Sequence, residues 1–165
     1  MKKICLTITI AVYLLICFNG ILAQSVSNKI DQLKLMQQYV GSWQADIGKD
    51  TSEIWECQQF GKASIINVYQ VIKGKKIPLY INNIGFDPGE DKFKGFVLWP
   101  NGEYSTWIGS FTSEKRFSGD LVQNFNPEKT FIELENIFEN PKEWTWTQTT
   151  SSGLKILEYK FKKVK

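Results

Sequence analysis

Short β-type segments separated by tight turn signals occupy almost the whole chain after residue 41. The segments are rich in Ile, Val, Thr and aromatic residues, and turns such as Gly74-Lys75-Lys76 and Pro88-Gly89-Glu90 separate them. Because these connections are too short for a crossover helix, neighbouring strands should pair antiparallel in sequence order. The predicted strands cover residues 42–47, 51–58, 63–72, 78–86, 93–99, 104–111, 117–125, 130–138, 143–149 and 154–163.

This pattern predicts an all-β protein, a ten-stranded antiparallel up-and-down barrel. Several segments are apolar on both faces, as in 77–86 and 93–99, which a half-hydrated sheet would not need. Closing the sheet also removes its edge strands. A two-sheet sandwich is the alternative, but the long connections that join its sheets are missing here.

A single helical pattern precedes the strands. Apolar residues recur at steps of three and four, with Ser27 or Asn28 as the cap and Asp31 in the first turn. We predict a helix over residues 28–40 that closes one end of the barrel. The apolar positions are Ile30, Leu33, Met36 and Val40.

The first 23 residues have the layout of an export signal: Lys2 and Lys3, an apolar run over 4–18, and small Ala23 before polar residues. An uncleaved anchor is the rival, but the run is shorter than the ~20 residues of a spanning helix. A lipid-modified Cys17 is disfavoured because Ile16 stands where a small residue belongs. We therefore predict one exported domain, 24–165, in the periplasm or outside the cell, with no membrane span after cleavage.

Cysteine and charge exclude several classes of protein. Cleavage would leave Cys57 alone, without an intramolecular disulfide, and a buried thiol is its commonest role. The formal charge of +3 would fall to +1, and Arg116 is the only arginine. Such a chain has no nucleic-acid-binding footprint, because forked guanidinium contacts are nearly unavailable to it.

Histidine is absent from the sequence, so Ser-His-Asp and Cys-His sites cannot form and the commonest zinc or haem ligand is missing. Cys57 and Glu56 cannot close a metal site alone, and Asp87, Glu90 and Asp91 do not match a calcium loop. We predict no metal and no cofactor.

Paired carboxylates for acid/base chemistry are offered by Glu133, Glu135 and Glu139. In a strand, Glu133 and Glu135 share one face while Leu134 and Asn136 share the other. A strand face that points to water accounts for Glu133 and Glu135. Only burial of one of these carboxylates, which would raise its pKa, would favour a catalytic role.

Aromatic residues make up 14% of the chain and fall on successive strands. Most should form plain core, since a barrel needs filling. The functional alternative is that some line an apolar cavity together with a few inward polar groups. The cavity-lining candidates are Trp43, Trp55, Asn67, Tyr69, Asn82, Trp107, Gln123 and Trp146.

The helical turn leading into Gly41-Ser42-Trp43 resembles the calycin superfamily of lipocalins and fatty-acid-binding-like barrels. The rest of the chain resembles bacterial lipocalin-like proteins grouped under a domain of unknown function, DUF1579. The matching motifs are 35–43, Trp55 with Phe60-Gly61-Lys62, Ile84-Gly85-Phe86-Asp87 with Lys92-Phe93, 102–109, and Leu157-Glu158-Tyr159.

The resemblance implies that Trp43 packs inward at the closed end, beside the helix. True lipocalins place a late Arg across this tryptophan, whereas the last strand here offers Lys160 and Lys162, so the cation would be a Lys. Haem-binding relatives hold iron through His, which this chain lacks.

These observations predict an exported barrel that binds a small, mostly apolar molecule in its interior. The first alternative is a solid barrel whose surface binds a protein, as an inhibitor or subunit; exposed aromatics near one rim would favour it. The second is an isomerase or hydrolase, which needs a carboxylate buried in a cavity.

Overall fold

Ten antiparallel strands close into a barrel in the computed structural model, which describes residues 30–164. Consecutive strands are neighbours throughout, so the predicted up-and-down barrel is confirmed. The predicted export signal lies outside the described residues. The strands are β1 (Gly41–Gly48), β2 (Thr51–Phe60), β3 (Ala63–Ile72), β4 (Lys75–Asp87), β5 (Lys92–Leu98), β6 (Tyr104–Ser113), β7 (Arg116–Gln123), β8 (Asn126–Asn140), β9 (Glu143–Thr150) and β10 (Lys155–Val164).

Pairing between the first and last strands closes the sheet. Trp43 of β1 stands opposite Lys163 of β10 on one side and Trp55 of β2 on the other. Closure satisfies backbone groups that an open sheet would leave unpaired at its edges. It also gives the sheet a single inner face, on which alternate side chains of every strand converge.

Two-residue turns join several strands, as at Lys73-Gly74, where both residues have positive φ. The turn between β7 and β8 differs from the prediction, which placed it at Asn126-Pro127-Glu128. The structure makes this turn with Asn124 and Phe125, at φ 51° and 58°. Asn tolerates the left-handed region, and the Phe125 amide donates to Thr106 Oγ1 at 3.1 Å. The turn therefore comes two residues earlier than the proline signal indicates.

The helix is shorter than the predicted span of 28–40. An α-helix, α1 (Gln32–Met36), passes into a 3-10 turn (Gln37–Tyr39). Asp31 is its cap, not a first-turn residue, since its carboxylate accepts from the Lys34 amide at 3.0 Å. The Gln32 side chain donates to the Phe111 carbonyl at 3.0 Å and accepts from the Phe111 amide at 2.8 Å. These two hydrogen bonds to β6 fix the helix over the barrel end.

Packed aromatic rings fill the helix end of the barrel. Trp43 is 1% exposed, and its indole nitrogen donates to the Tyr39 carbonyl at 2.7 Å. Trp144 and Phe161 stack at 4.4 Å between ring centroids, and Tyr39 meets Trp144 edge to face at 5.5 Å. The cation over Trp43 is a lysine, but it is Lys163, whose Nζ lies 5.1 Å from the ring, and not Lys160 or Lys162.

Glycine makes room for the larger rings. A Cβ on Gly95 would lie 1.9 Å from Cε2 of Trp107, directly opposite on β6. A Cβ on Gly109 would likewise meet the Phe117 ring at 2.6 Å. The indole of Trp107 therefore lies flat against the β5 backbone, in space that any other residue would occupy.

We predict that Gly95→Ala destabilises the fold by about 1–3 kcal/mol, because Trp107 must leave its place. Gly85→Ala is the control: Gly85 is also a strand residue, and the nearest atom to its added Cβ is 4.0 Å away. Urea unfolding measures both variants. Equal free energies of unfolding for the two variants would contradict this packing.

Candidate functional site

A cavity of about 130 Å³ lies inside the barrel. It extends from Met36 and Tyr39, beside the helix, to Ser105 and Gln148 toward the opposite end. Its walls are largely aromatic and aliphatic. The lining residues are Met36, Tyr39, Trp55, Ile66, Tyr80, Asn82, Ile84, Val97, Trp99, Ser105, Trp107, Phe117, Leu121, Leu134, Asn136, Trp146 and Gln148.

The volume limits what the cavity can hold. Pockets for drug-sized ligands are roughly 300–1,000 Å³, whereas an apolar cavity of about 150 Å³ holds one benzene ring. At about 130 Å³ the cavity matches a compound with one ring or a short aliphatic chain.

Four of the predicted lining residues come together around this cavity: Trp55, Asn82, Trp107 and Trp146. Trp55 and Trp146 meet with ring centroids 5.2 Å apart. Trp43 does not line the cavity. It lies in the packed helix end, where the Trp144 ring is 6.1 Å from it.

The other predicted residues also lie away from the cavity. Asn67 and Tyr69 alternate with the buried Ile66 and Val68 on β3, and this alternation turns them to the outer face. The Tyr69 ring there lies 3.7 Å from the Lys76 ammonium. Gln123 is exposed at the end of β7, where the register shifts before the turn.

Sequence reasoning missed the polar residue at the inner end of the cavity, Asn136. It is 8% exposed, and its Nδ2 donates to the Tyr39 hydroxyl at 2.5 Å. Its Oδ1 is buried and has no hydrogen-bond partner among the described residues. An unmatched buried acceptor costs about 1–3 kcal/mol. The sequence does contain a signal for its burial, because Asn136 lies on the same strand face as the apolar residues Leu134 and Phe138.

Besides Asn136 and Gln148, Asn82 is the third amide side chain in the cavity lining. Its Oδ1 accepts from the Trp107 indole nitrogen at 3.1 Å, which fixes the indole across the cavity wall. The residue is 7% exposed. Asn82 thus both orients Trp107 and contributes a polar group to an otherwise apolar wall.

Among residues 30–164, Glu53 is the one charged residue that is buried, with 5% of its surface exposed. It stands two residues before Trp55 on the inner face of β2, and its Oε1 accepts from the Trp55 indole nitrogen at 2.5 Å. Burial raises the pKa of Glu53 above its ordinary value, and the Trp55 bond partly opposes that shift. Sequence reasoning overlooked it because Glu53 follows two polar residues at the start of its strand.

The carboxylates singled out from the sequence lie on the outer face. Glu133 and Glu139 are exposed, and Glu135 accepts from Arg116 Nε at 3.0 Å. Cys57 is buried, and burial raises the pKa of its thiol to about 12. Within residues 30–164, no group of three or more Cys, Asp or Glu side chains is arranged to hold a metal ion.

An apolar patch lies on the outer face of the barrel. We call it the β4–β6 patch: Ile81, Phe96, Leu98 and Tyr104, each between 37% and 55% exposed. The Phe96 and Tyr104 rings stack at 5.2 Å, and Ile81 and Tyr104 flank Leu98 on neighbouring strands. These side chains form one contiguous surface and are not scattered.

None of the helices in residues 30–164 has the length and apolar character needed to cross a membrane. No protein-family model matches the chain, and no curated protein matches it either.

Proposed function

We propose that the protein binds a small, mostly apolar molecule, of the size of one aromatic ring, inside its barrel. The observation that carries this proposal is the cavity of about 130 Å³ with largely apolar walls and three amide side chains in its lining, Asn82, Asn136 and Gln148. A few convergent polar groups in an apolar concavity are the usual composition of a small-molecule site.

The energetics favour a ligand with polar contacts. Burying one ring removes roughly 150–250 Å² from water, worth about 4–6 kcal/mol at about 25 cal/mol per Å². Association costs about 4 kcal/mol or more in lost freedom. Apolar burial alone then gives weak binding, and hydrogen bonds to the wall would supply the remainder and fix the orientation.

The proposal includes export and a calycin-like family. The export layout of residues 1–23 and the Gly41-Ser42-Trp43 frame support it, as does the burial of Trp43 beside α1. In this proposal the mature protein meets its ligand outside the cytoplasm, as a carrier or a scavenger.

We expect ethylbenzene to bind the purified protein and to shift the NMR signals of Trp55 and Trp107. Leu121→Phe, which fills the cavity, should weaken binding at least about tenfold. Leu154→Phe, in an exposed turn, should leave it unchanged. Isothermal titration calorimetry gives the affinities. Equal affinity for the two variants, or no binding to the wild-type protein, would count against an interior site.

A second candidate function is a protein-interaction module, and the β4–β6 patch favours it. Exposed apolar surface of this kind is a common mark of an interface. Two further exposed apolar residues, Ile72 at the end of β3 and Ile77 near the start of β4, lie on either side of the β3–β4 connection. Association of two copies through the patch is the simplest form of such an interface.

Leu98→Lys should then lower the molar mass measured by light scattering from that of a dimer to that of a monomer. Ile137→Lys is the control, because Ile137 has similar exposure on a different part of the outer face. A wild-type protein that stays monomeric at high concentration would exclude self-association through this patch.

A further inference from the structure

Two buried polar side-chain atoms of residues 30–164 have no hydrogen-bond partner: the acceptor Asn136 Oδ1, on a residue of the cavity lining, and the donor Trp144 Nε1, in the packed helix end. Asn136 Oδ1, at the helix end of the cavity, has no partner among residues 30–164, while its Nδ2 is bonded to Tyr39. The Asn82 Oδ1 is already occupied by Trp107. A ligand that donates a hydrogen bond can therefore satisfy an atom that the protein leaves unmatched.

Glu53 adds negative charge beside Trp55, another residue of the cavity lining. In the part of the chain that the structure describes, no lysine or arginine forms an ion pair with it. Its hydrogen-bond partner Trp55 lines the cavity, as does Tyr80, whose pKa is raised by burial first and by the Glu53 charge second. The carboxylate therefore lies on the inner face of the barrel next to Trp55, without a cation to balance it.

Aromatic rings surround this charge. Trp55 contacts Trp146 at 5.2 Å between centroids, and Trp146 contacts Tyr159 at 6.0 Å. The Glu53 charge also raises the pKa of Tyr159, after burial, which places β10 beside the carboxylate as well. Ring faces carry negative potential, so an aromatic enclosure beside a carboxylate favours a cation over a neutral guest.

We propose that the barrel selects small organic ammonium ions with one apolar group, such as an arylalkylamine. The ammonium N–H groups would donate to Asn136 Oδ1 or lie against the Trp55 and Trp146 rings in the field of Glu53. The apolar group would occupy the space beside Trp107. This inference rests on the proposed interior site and adds the chemical class of its ligand.

The test compares benzylamine with two neutral compounds of matched size, ethylbenzene and benzonitrile. Benzylamine, protonated at neutral pH, should bind at least about tenfold more tightly than either. If benzonitrile binds more tightly than benzylamine, the cavity wall donates hydrogen bonds to its ligand, and this result would overturn the proposal. Equal binding of ethylbenzene would overturn it too, while leaving the interior site intact. If none of the three compounds binds, the proposed function fails as well.

Glu53→Gln should weaken benzylamine binding about tenfold and change ethylbenzene binding less than about twofold. Glu133→Gln, on the exposed outer face, is the matched control and should alter neither. Asn136→Leu should also weaken benzylamine selectively. Unchanged selectivity in both Glu53→Gln and Asn136→Leu would contradict the assignment.

The pH dependence gives a second readout. The titratable groups that face Glu53 are Tyr80 on β4 and Tyr159 on β10. Both tyrosines have a raised pKa, so both are uncharged at pH 7 and below. Benzylamine affinity should fall as pH decreases through the Glu53 pKa, whereas ethylbenzene affinity stays flat. A flat profile for benzylamine would overturn the role of Glu53.

Stability separates this role from a folding defect. Because the folded-state pKa of Glu53 is raised, its ionisation destabilises the fold as pH rises through that pKa. Gln retains an acceptor for Trp55, so Glu53→Gln should raise the free energy of unfolding at neutral pH, and the gain should vanish in acid. A variant that is more stable and yet binds the amine less tightly identifies a recognition role.

Discussion

Pairing between β1 and β10 closes the barrel and thereby determines where every inward side chain lies. Once Trp43 stands between Trp55 and Lys163, the sheet has a single enclosed inner face and no free edge. Every inward side chain must then share one confined volume. At the helix end Trp43, Trp144 and Phe161 pack against one another, whereas the rings beyond Tyr39 do not fill the space between them. That difference leaves a packed half and a half with a cavity.

The packed half fixes the geometry of the cavity. Tyr39 joins the two halves: its carbonyl accepts from Trp43, and its hydroxyl accepts from Asn136. The helix that carries Tyr39 is held to β6 through Gln32. Asn136 is thereby positioned by a chain of hydrogen bonds that begins at the helix, so the inner end of the cavity is rigid and preorganised.

Much of the fold could be predicted from the sequence because turn residues and β-type segments are local signals. The strand count and the antiparallel order follow from them, whereas the inward packing of Trp43 was expected only from the resemblance of the Gly41-Ser42-Trp43 frame. The helix start was missed although the Asp31 cap is a local bond to the Lys34 amide, whereas the β7–β8 turn depends on a tertiary hydrogen bond from the Phe125 amide to Thr106. Local preference yields to packing at such positions.

The candidate site was less predictable, because sequence alone does not fix which strand face points inward. Trp55, Asn82, Trp107 and Trp146 line the cavity, while Asn67 and Tyr69 lie one position out of phase. Glu53 and Asn136 were overlooked for a different reason. Polar residues in strands ordinarily face water, and only closure of the barrel buries these two.

The barrel holds an open, apolar space between Trp55, Ile84 and Trp107. Crystals pressurised with xenon probe this space, because xenon enters dry apolar cavities without needing a polar contact. A xenon atom should bind among these three side chains and leave the barrel unchanged. An interior without xenon, its side chains packed across that space, would contradict it.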